Sequence, residues 1–467
     1  MWGLRREHYD VGLNDAVSTP HVLMRFRPPK PTSPMAKTGP AKATGPPRPA
    51  DAPEVAVVCQ LFYPELVSTG QSLTELIEEL SSHGLGITVL ASQPTVIPGS
   101  KPVARVIEHH GFKVQRTWST RFSKTSFLGK LMNLSTFFLS ATWEVLRRHR
   151  GAQLLLLTNP PYLPMLGWLC HLLRQQTFGV IMYDIMPEQA ELLNFIKPNG
   201  LAARAWRRLN GAWYRRAAFT VVISHDMLDG AIRNADLGGT AAEPACRAKT
   251  HIIYVWSDDR HIVPIPKSAS REAQRLRVTD RFVVQYSGNH ARFHDIETLL
   301  GIAKTFARDQ RFAFQFIGEG QKKRVVDSYA KSERPAVVYS STYVPKELLS
   351  DSLAMADVGV VAQMPGQERV CYPSKLLGVM AAGRAILAIC SPDCEMARMI
   401  LEHELGWVVP NGDIEGGRRS LLEAFSDPSR VARMGENGAR LLRERFTLAK
   451  AAHAYYQLIM RYQTKGP

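Results

Sequence analysis

Short apolar runs that alternate with amphipathic segments constrain this chain most strongly from Glu54 onwards. The apolar run 54–62 is followed by a loop, by a segment at 71–84 with its leucines on one helical face, and by a second run at 87–92. Alternation of this kind predicts a parallel, doubly wound sheet in an α/β protein. The remaining strands predicted for this half of the chain are 154–158, 178–184, 219–224 and 250–255.

The same alternation restarts after a polar linker at 257–280. It predicts a second Rossmann-like domain of similar size, with strands at 281–288, 311–318, 336–341, 357–363, 384–390 and 407–410. The predicted division is a disordered, basic, Pro-rich tail (1–53), two domains (54–260 and 261–445) and a C-terminal helix (446–467) that packs back on the first domain. Ligands of such folds bind in the cleft at the carboxyl ends of the strands.

The net charge and the cysteine content restrict which binding partners and which cellular compartment are expected for this protein. The formal charge of +16 predicts a polyanionic partner, which is a nucleic acid, an anionic membrane or a phosphorylated substrate. The 6 cysteines form no CxxC pair, which argues against a disulfide framework or a zinc site and favours a reducing cytoplasm. No stretch reaches the roughly 20 apolar residues that a membrane span needs.

The segment 372–390 has the pattern of an anion site. Pro373 suits the first turn of a helix, and Ser374 and Lys375 follow it, beside backbone N–H groups that lack helical partners. Gly383 is predicted to end this helix, and the buried strand follows. The alternative is an ordinary capped helix with a surface lysine.

Two other strand ends of the second half carry similar groups. Gly288, Asn289, Arg292 and His294 precede a predicted helix that opens at Asp295. Basic and polar groups at a helix start suit a pyrophosphate, although Asp295 as a simple helix cap explains the same pattern. A Gly-x-Gly turn ends the next strand, at Gly318 and Gly320. Together with Lys375, these loops predict that the second domain binds a nucleotide diphosphate.

The first half offers two further loops. Gly70 stands just before a predicted helix and permits close approach of the backbone to a ligand, but it is equally compatible with a plain turn. Asp184 and Glu188 follow a buried strand and are candidates for binding a sugar hydroxyl or for acting as a base. The alternative for this pair is a helix cap and a solvated glutamate.

These segments, in this order, resemble the donor and acceptor motifs of GT-B glycosyltransferases of family 4. The resemblance covers residues 54–464, and its PSKL form at 373–376 is closest to enzymes of the colanic-acid and exopolysaccharide type. It implies a GT-B fold with two Rossmann-like domains facing a cleft, a nucleotide-sugar donor and retention of anomeric configuration, with no metal and no cofactor. The family's paired glutamates are replaced here by Val370 and Gly378, and a common histidine is replaced by Tyr183.

The resemblance also implies roles for individual residues. Asn289, Arg292 and Lys375 face the diphosphate, and Gly70 lies opposite the donor phosphates. The residues near the base are Tyr343, Val344 and Pro345, and Asp184 lies on the acceptor side together with Glu188. The predicted catalytic residues are Asp184, Arg292 and Lys375; Gly288, His294, Gly318, Gly320 and Ser374 complete the predicted donor site.

The predicted activity is transfer of a sugar to an acceptor in surface-polysaccharide assembly, with a polyprenyl-diphosphate-linked saccharide as the expected acceptor. Two basic segments, 130–150 and 201–219, suit an anionic membrane surface, and the second interleaves arginines with Trp206, Trp213 and Tyr214. The expected location is therefore the cytoplasm, on the inner face of the cell membrane. The alternative for the tryptophans is that they pack in the core. The alternative functions are a nucleotide-sugar epimerase of the same fold, a scaffold without activity, and a nucleic-acid-binding protein. No nucleic-acid partner is expected, because the aromatic residues follow no known RNA-binding pattern.

Overall fold

The structure is a computed structural model that describes residues 54–64, 69–94, 103–122, 127–257, 261–332 and 337–463. The tail predicted for residues 1–53 and the last four residues of the predicted C-terminal helix segment lie outside the described residues.

The first sheet has eight strands in the order β3-β4-β2-β1-β5-β6-β7-β8. Its strands are β1 (Glu54–Val58), β2 (Gly86–Ala91), β3 (Val106–His109), β4 (Phe112–Arg116), β5 (Gln153–Leu157), β6 (Phe178–Met182), β7 (Phe219–Val222) and β8 (Thr250–Ile252). All pairs are parallel except β3 and β4, two edge strands that the sequence pattern did not predict. These two short strands form a hairpin with a turn at His110 and Gly111, and β3 is mostly exposed, so it lacks the buried apolar run that identified the other strands.

The second sheet has six strands, all parallel, in the order β11-β10-β9-β12-β13-β14. They are β9 (Phe282–Ser287), β10 (Phe312–Ile317), β11 (Val338–Ser341), β12 (Val358–Ala362), β13 (Ala385–Ile389) and β14 (Gly406–Val409). The central strands β10, β12 and β13 are buried along their whole length. Helices on both faces of a parallel sheet produce this burial, and it explains why continuous apolar runs located the strands.

The helices connect these strands as the alternation predicts. In the first half they are α1 (Thr69–Ser82), α2 (Phe127–Arg148), α3 (Leu163–Arg174), α4 (Glu188–Leu192), α5 (Leu201–Arg216), α6 (His225–Asn234) and α7 (Glu243–Ala248). The remainder are α8 (Arg271–Arg275), α9 (Ile296–Thr305), α10 (Lys323–Ser332), α11 (Leu349–Ala354), α12 (Lys375–Ala381), α13 (Glu395–Glu402), α14 (Ile414–Ser426), α15 (Pro428–Arg445) and α16 (Leu448–Arg461). Helix α3 packs between α2 and α5, whereas α16 returns from the second half to pack on α1.

The fold prediction is confirmed: the protein is an α/β protein with two doubly wound sheets. Most strands end before the predicted position; β1, for example, ends at Val58, and the apolar residues that follow it belong to the loop. These loops at the carboxyl ends of the strands bring the candidate site residues together. No helix within the described ranges combines the length and the apolar character that crossing a bilayer requires.

Candidate anion site at the strand ends of the second sheet

Three glycines bring two strand-end loops into direct contact. Gly288 follows β9, and Gly318 and Gly320 follow β10; all three have positive φ angles, of 139°, 128° and 140°. A Cβ atom on Gly318 would lie 2.0 Å from the carbonyl oxygen of Gly288, and one on Gly320 would lie 2.5 Å from Oδ1 of Asn289. Glycine is therefore required here both by backbone conformation and by space. The loops predicted to hold a diphosphate do lie against each other.

Lys375 reaches into the same place from the start of α12. A Cβ atom on Gly288 would lie 2.3 Å from Cε of Lys375, so the lysine stem lies directly over the glycine backbone. The side chain is largely buried, and its ammonium nitrogen lies 5.6 Å from the centre of the Tyr286 ring. Burial lowers the pKa of Lys375 to about 8. The alternative of a surface lysine on a capped helix does not describe this side chain.

His294 supports the lysine. Its Nε2 lies 3.2 Å from Nζ of Lys375, and its Nδ1 lies 2.6 Å from the carbonyl oxygen of Asn289. Burial, reinforced by the nearby Lys375 charge, lowers the pKa of His294 to about 3, so the ring is neutral at physiological pH. A neutral ring that donates from Nδ1 to Asn289 leaves Nε2 as an acceptor for the lysine N–H.

Other predicted donor residues surround this centre less closely. The Ser374 side chain is exposed and makes no capping hydrogen bond to α12, and Arg292 is exposed as well. The Tyr343 ring lies 3.3 Å from the position of a Cβ atom on Gly318, and Val344 packs on the small apolar cluster around Ile317. Exposed Pro345 precedes Lys346, whose ammonium group lies 4.0 Å from Glu75 of α1. The proposed base-side residues therefore lie beside the glycine loops.

The first half contributes Gly70, which is buried in the first turn of α1, and Asp184 at the end of β6. The Gln189 amide donates a hydrogen bond of 3.1 Å to the Asp184 carboxylate. Burial raises the pKa of Asp184, and this carboxylate is close enough to Cys371, just before α12, to influence that thiol. Asp184 therefore lies near the second half.

Glu188 has a different environment. Its carboxylate is buried and accepts hydrogen bonds from Asn234, at 2.7 Å, and from Arg369 of the second half, at 3.1 Å. Arg233 lies 3.7 Å from the same carboxylate. The structure therefore places Glu188 in a contact between the two halves, whereas Asp184 has only Gln189 on its carboxylate among the hydrogen bonds of the described residues.

Several contacts between the halves had no signal in the sequence. The Ile185 N–H donates to the Val370 carbonyl oxygen at 3.0 Å, although Val370 was noted only for replacing a glutamate. A Cβ atom on Gly230 would lie 2.0 Å from the Arg369 carbonyl oxygen, so α6 and the 367–369 turn touch through backbone. Glu395 at the start of α13 accepts hydrogen bonds from the His225 N–H and from the Tyr254 hydroxyl. The one indication in the sequence is Gly230 itself, because a glycine inside the amphipathic pattern of a helix can mark the close approach of another backbone.

The basic–aromatic segment 201–219 differs from the prediction. Trp213 and Tyr214 are buried in the core, because this face of α5 packs on the first sheet. Arg207 is also unavailable for a membrane, since it forms a largely buried ion pair with Glu191. The exposed arginines of α5 are Arg204, Arg208, Arg215 and Arg216.

Helix α2, by contrast, has two apolar faces. Phe137, Ala141 and Val145 are buried against the sheet. The opposite face exposes a stripe of large apolar side chains, with Leu139 at 67% and Trp143 at 63% exposure. Because 100° separates successive residues of a helix, the exposed members fall on one side of it: Leu128, Leu131, Met132, Leu139 and Trp143. We call these five residues the α2 stripe.

A group of metal-binding type lies at the edge hairpin. Glu78, His109 and His110 have side-chain ligand atoms within 4.8 Å of one another, and they are the one such group among the described residues. The His109 Nε2 N–H donates a hydrogen bond of 2.8 Å to the Glu78 carboxylate. The predicted absence of a metal stays a prediction.

Comparison with known proteins agrees with this architecture. Residues 69–237 match the Glycosyl transferase 4-like domain. A probable glycosyltransferase of Pseudomonas aeruginosa, WbjE, is 26% identical over 74% of this chain and 83% of its own. These matches confirm the prediction that the chain is an enzyme of the glycosyltransferase class.

Solved structures of similar fold span nearly the whole described chain. Sucrose-phosphate synthase of Thermosynechococcus elongatus is 16% identical, with a TM-score of 0.67 over 88% of this chain and 98% of that one. Anabaena HepE, solved in complex with UDP and glucose, is 14% identical, with a TM-score of 0.63 over 88% of this chain and 100% of that one. The likeness to these glycosyltransferases shows that the fold is GT-B.

Proposed function

We propose that this enzyme transfers a sugar, with retention of configuration, from a nucleotide-diphosphate sugar bound at the strand ends of the second sheet. The observation that carries the proposal is Lys375. Its ammonium group is largely buried, yet it forms no ion pair with a carboxylate among the described residues. A buried charge without a counter-charge is costly, and such groups are normally paired. A bound diphosphate supplies the missing negative charge.

The surroundings of Lys375 fit that anion. Gly288, Gly318 and Gly320 carry no side chains, so the two loops and the Lys375 stem pack together and a phosphate bound at Lys375 can lie close to the loop backbone. The neutral His294 ring accepts from the lysine without neutralising it. HepE, which has the same fold and was solved with UDP-glucose, supports a nucleotide sugar as the donor.

The chemistry follows from where charge develops. Breaking the bond between sugar and phosphate leaves a diphosphate whose negative charge grows, and Lys375 stabilises that charge more in the transition state than in the ground state. The leaving phosphate takes the proton of the acceptor hydroxyl on the same face, so no protein nucleophile is needed. Asp184 is proposed to orient that hydroxyl by accepting a hydrogen bond from it, and burial raises the pKa of this carboxyl group.

We further propose that the acceptor is a lipid-linked saccharide and that the α2 stripe contacts the membrane. Three exposed arginines, Arg147, Arg148 and Arg150, follow the α2 stripe along the chain. The Arg147 guanidinium lies 6.0 Å from the centre of the Trp143 ring. Aromatic and apolar side chains beside arginines suit the interface of an anionic bilayer, where each basic residue contributes about 1 kcal/mol. A polyprenyl-diphosphate acceptor brings both an anionic headgroup and a membrane. This assignment extends the proposed role in surface-polysaccharide assembly to the inner face of the membrane.

The test begins with a thermal-shift screen of UDP- and GDP-sugars. A ligand at 100 times its dissociation constant stabilises the folded state by about 2.7 kcal/mol, which such a screen detects. The selected donor, radiolabelled, is then incubated with membranes that contain lipid-linked precursor. Label should move into the organic phase, and Lys375→Ala should lower that transfer about 100-fold or more.

A matched control is Lys331→Ala, which removes an exposed lysine of α10 in the same half and should leave transfer unchanged. If the donor binds but label enters only a water-soluble product, the proposal of a lipid-linked acceptor is contradicted, whereas the proposal of sugar transfer still holds. Epimerisation of the donor without any acceptor would contradict the transferase proposal itself.

A further inference from the structure

The donor half contains a thiol pair that the proposed reaction does not use. Cys390 directly follows β13, and Cys394 caps α13; their sulfur atoms are 3.7 Å apart and share a hydrogen bond. Both side chains are buried, at 1% and 3% exposure. We propose that Cys390 and Cys394 are a redox-active pair, which a peroxide converts reversibly into an intramolecular disulfide.

The geometry places the two sulfurs near bonding distance. Closing a disulfide of about 2.05 Å requires an approach of roughly 1.7 Å, which rotation of the two side chains supplies within a three-residue loop. The loop, Ser391-Pro392-Asp393, connects the strand to the helix and is not part of either element. No strand or helix must therefore unfold for the bond to form.

The two thiols have different roles in the reaction. Cys394 lines a small cavity between the halves together with Asp226, Glu368 and Tyr372, whereas Cys390 is not among its lining residues. Its Sγ also accepts a hydrogen bond of 3.4 Å from the Ala397 N–H. The hydrogen bond shared with Cys390, and the one from this amide, lower the pKa of Cys394, which favours the reactive thiolate.

The reaction balances with hydrogen peroxide as the oxidant. The Cys394 thiolate attacks one peroxide oxygen, the O–O bond breaks, and the products are a sulfenic acid and a hydroxide that takes up a proton to become water. The Cys390 sulfur, having lost its proton, then attacks the sulfenic sulfur and expels the second water. The two thiols lose two electrons and two protons in total. A dithiol reductant reverses the change.

The position of the pair connects it to the contact between the halves. Glu395 follows Cys394 directly, its N–H donates to Asp226 at 2.7 Å, and its carboxylate accepts from the His225 N–H. Moving the Cys394 sulfur towards Cys390 removes the cap on Ala397 and shifts the start of α13. Oxidation is therefore expected to loosen the contact of Glu395 with α6.

Peptide mass spectrometry tests the pair directly. Trypsin cleaves after Arg384 and Arg398, so both cysteines lie in the single peptide 385–398, whereas Cys371 lies in the separate peptide 370–375. Treating the full chain with hydrogen peroxide should make peptide 385–398 lighter by two hydrogens, a change distinct from the oxygen added by methionine oxidation. Dithiothreitol should restore the original mass. Cys371 should stay unmodified, because burial raises the pKa of its thiol to about 12.

Variants assign the two sulfurs and keep the test independent of activity. Cys390→Ser should trap Cys394 as a sulfenic acid that dimedone labels, Cys394→Ser should abolish the loss of two hydrogens and the dimedone labelling, and Cys371→Ser should leave disulfide formation unchanged. Hydrogen exchange at the His225 amide should become several-fold faster after oxidation of the wild-type chain but not of Cys390→Ser. An unchanged peptide mass in the wild-type chain, or a bond from either sulfur to Cys371, would overturn the proposed pair; unchanged exchange at His225 would overturn its coupling to the cleft.

Discussion

The Lys375 ammonium nitrogen lies 3.2 Å from Nε2 of His294 and 5.6 Å from the centre of the Tyr286 ring. A cation held by a neutral ring and an aromatic face, and not by a carboxylate, keeps its charge available for a ligand. The same arrangement destabilises the folded state when no ligand is bound, because the buried charge then has no counter-charge in the described part of the chain. The first two predictions use these opposite effects.

Replacing Lys375 by methionine should stabilise the protein and remove its donor site. Burial lowers the pKa of this lysine from 10.5 to about 8, which corresponds to at most about 3 kcal/mol of unfavourable burial. Methionine keeps the volume and carries no charge, so Tm should rise by a few degrees. The stabilisation that UDP gives the wild-type chain should disappear. A lower Tm for the variant would mean that the lysine charge is paired in the free protein.

UDP binding should weaken at high pH. Because Lys375 loses its proton as the pH rises through about 8, the free enzyme must take up a proton to bind the diphosphate above that pH. The Kd of UDP should therefore be flat between pH 7 and 8 and then rise by up to tenfold per pH unit. Calorimetry in two buffers of different ionisation enthalpy measures the proton taken up. Lys375→Arg, which stays protonated, should bind with a flat profile; a sloping profile in that variant would assign the effect to another group.

A methyl group on Gly288 should displace the lysine. In Gly288→Ala the new Cβ atom meets Cε of Lys375 at 2.3 Å, at a φ of +139° that alanine rarely adopts. UDP affinity should fall at least tenfold. Gly151→Ala is the matched control, because no heavy atom lies within 4 Å of its added Cβ. Equal UDP affinity in both variants would place the diphosphate away from these loops.

Glu188 and Arg369 should act as one unit. Their charge-assisted hydrogen bond of 3.1 Å joins the two halves of the chain. Glu188→Gln and Arg369→Gln should each lower Tm, and the double variant should lose less than the sum, with a coupling of about 1–3 kcal/mol. Additive losses would show that the pair contributes nothing, and a loss of acceptor affinity in Glu188→Gln alone would restore the sugar-binding role predicted from the sequence.

The α2 stripe should control liposome binding. Leu139→Gln with Trp143→Gln should reduce co-sedimentation with anionic vesicles several-fold, because both side chains are exposed on one face. Arg204→Gln with Arg208→Gln tests the exposed arginines of α5 separately. If the glutamine pair on α2 binds as the wild type does and high salt releases both, the contact is purely electrostatic and the stripe is not part of it.

The sequence by itself determined the two sheets and most of the loops that form the candidate site. Buried parallel strands are continuous apolar runs, so their ends, and with them Gly288, Gly318 and Lys375, follow from local pattern alone. The hairpin of β3 and β4 does not follow from the sequence pattern, because β3 is mostly exposed and lacks such a run. The position of Lys375 also follows from the helix start and the glycine stop, which are properties of a few neighbouring residues.

Only the tertiary structure decided which of these groups meet and which are used elsewhere. Glu188 and Arg369 are 181 positions apart, and no local sequence pattern predicts a hydrogen bond that forms between two halves of a chain. Trp213 could face lipid or core with the same helical spacing, since amphipathicity gives the face of a helix but not its partner. Whether Lys375 is a solvated cation or a buried one depends on how His294, Tyr286 and Gly288 pack around it, and burial is the largest cause of its lowered pKa.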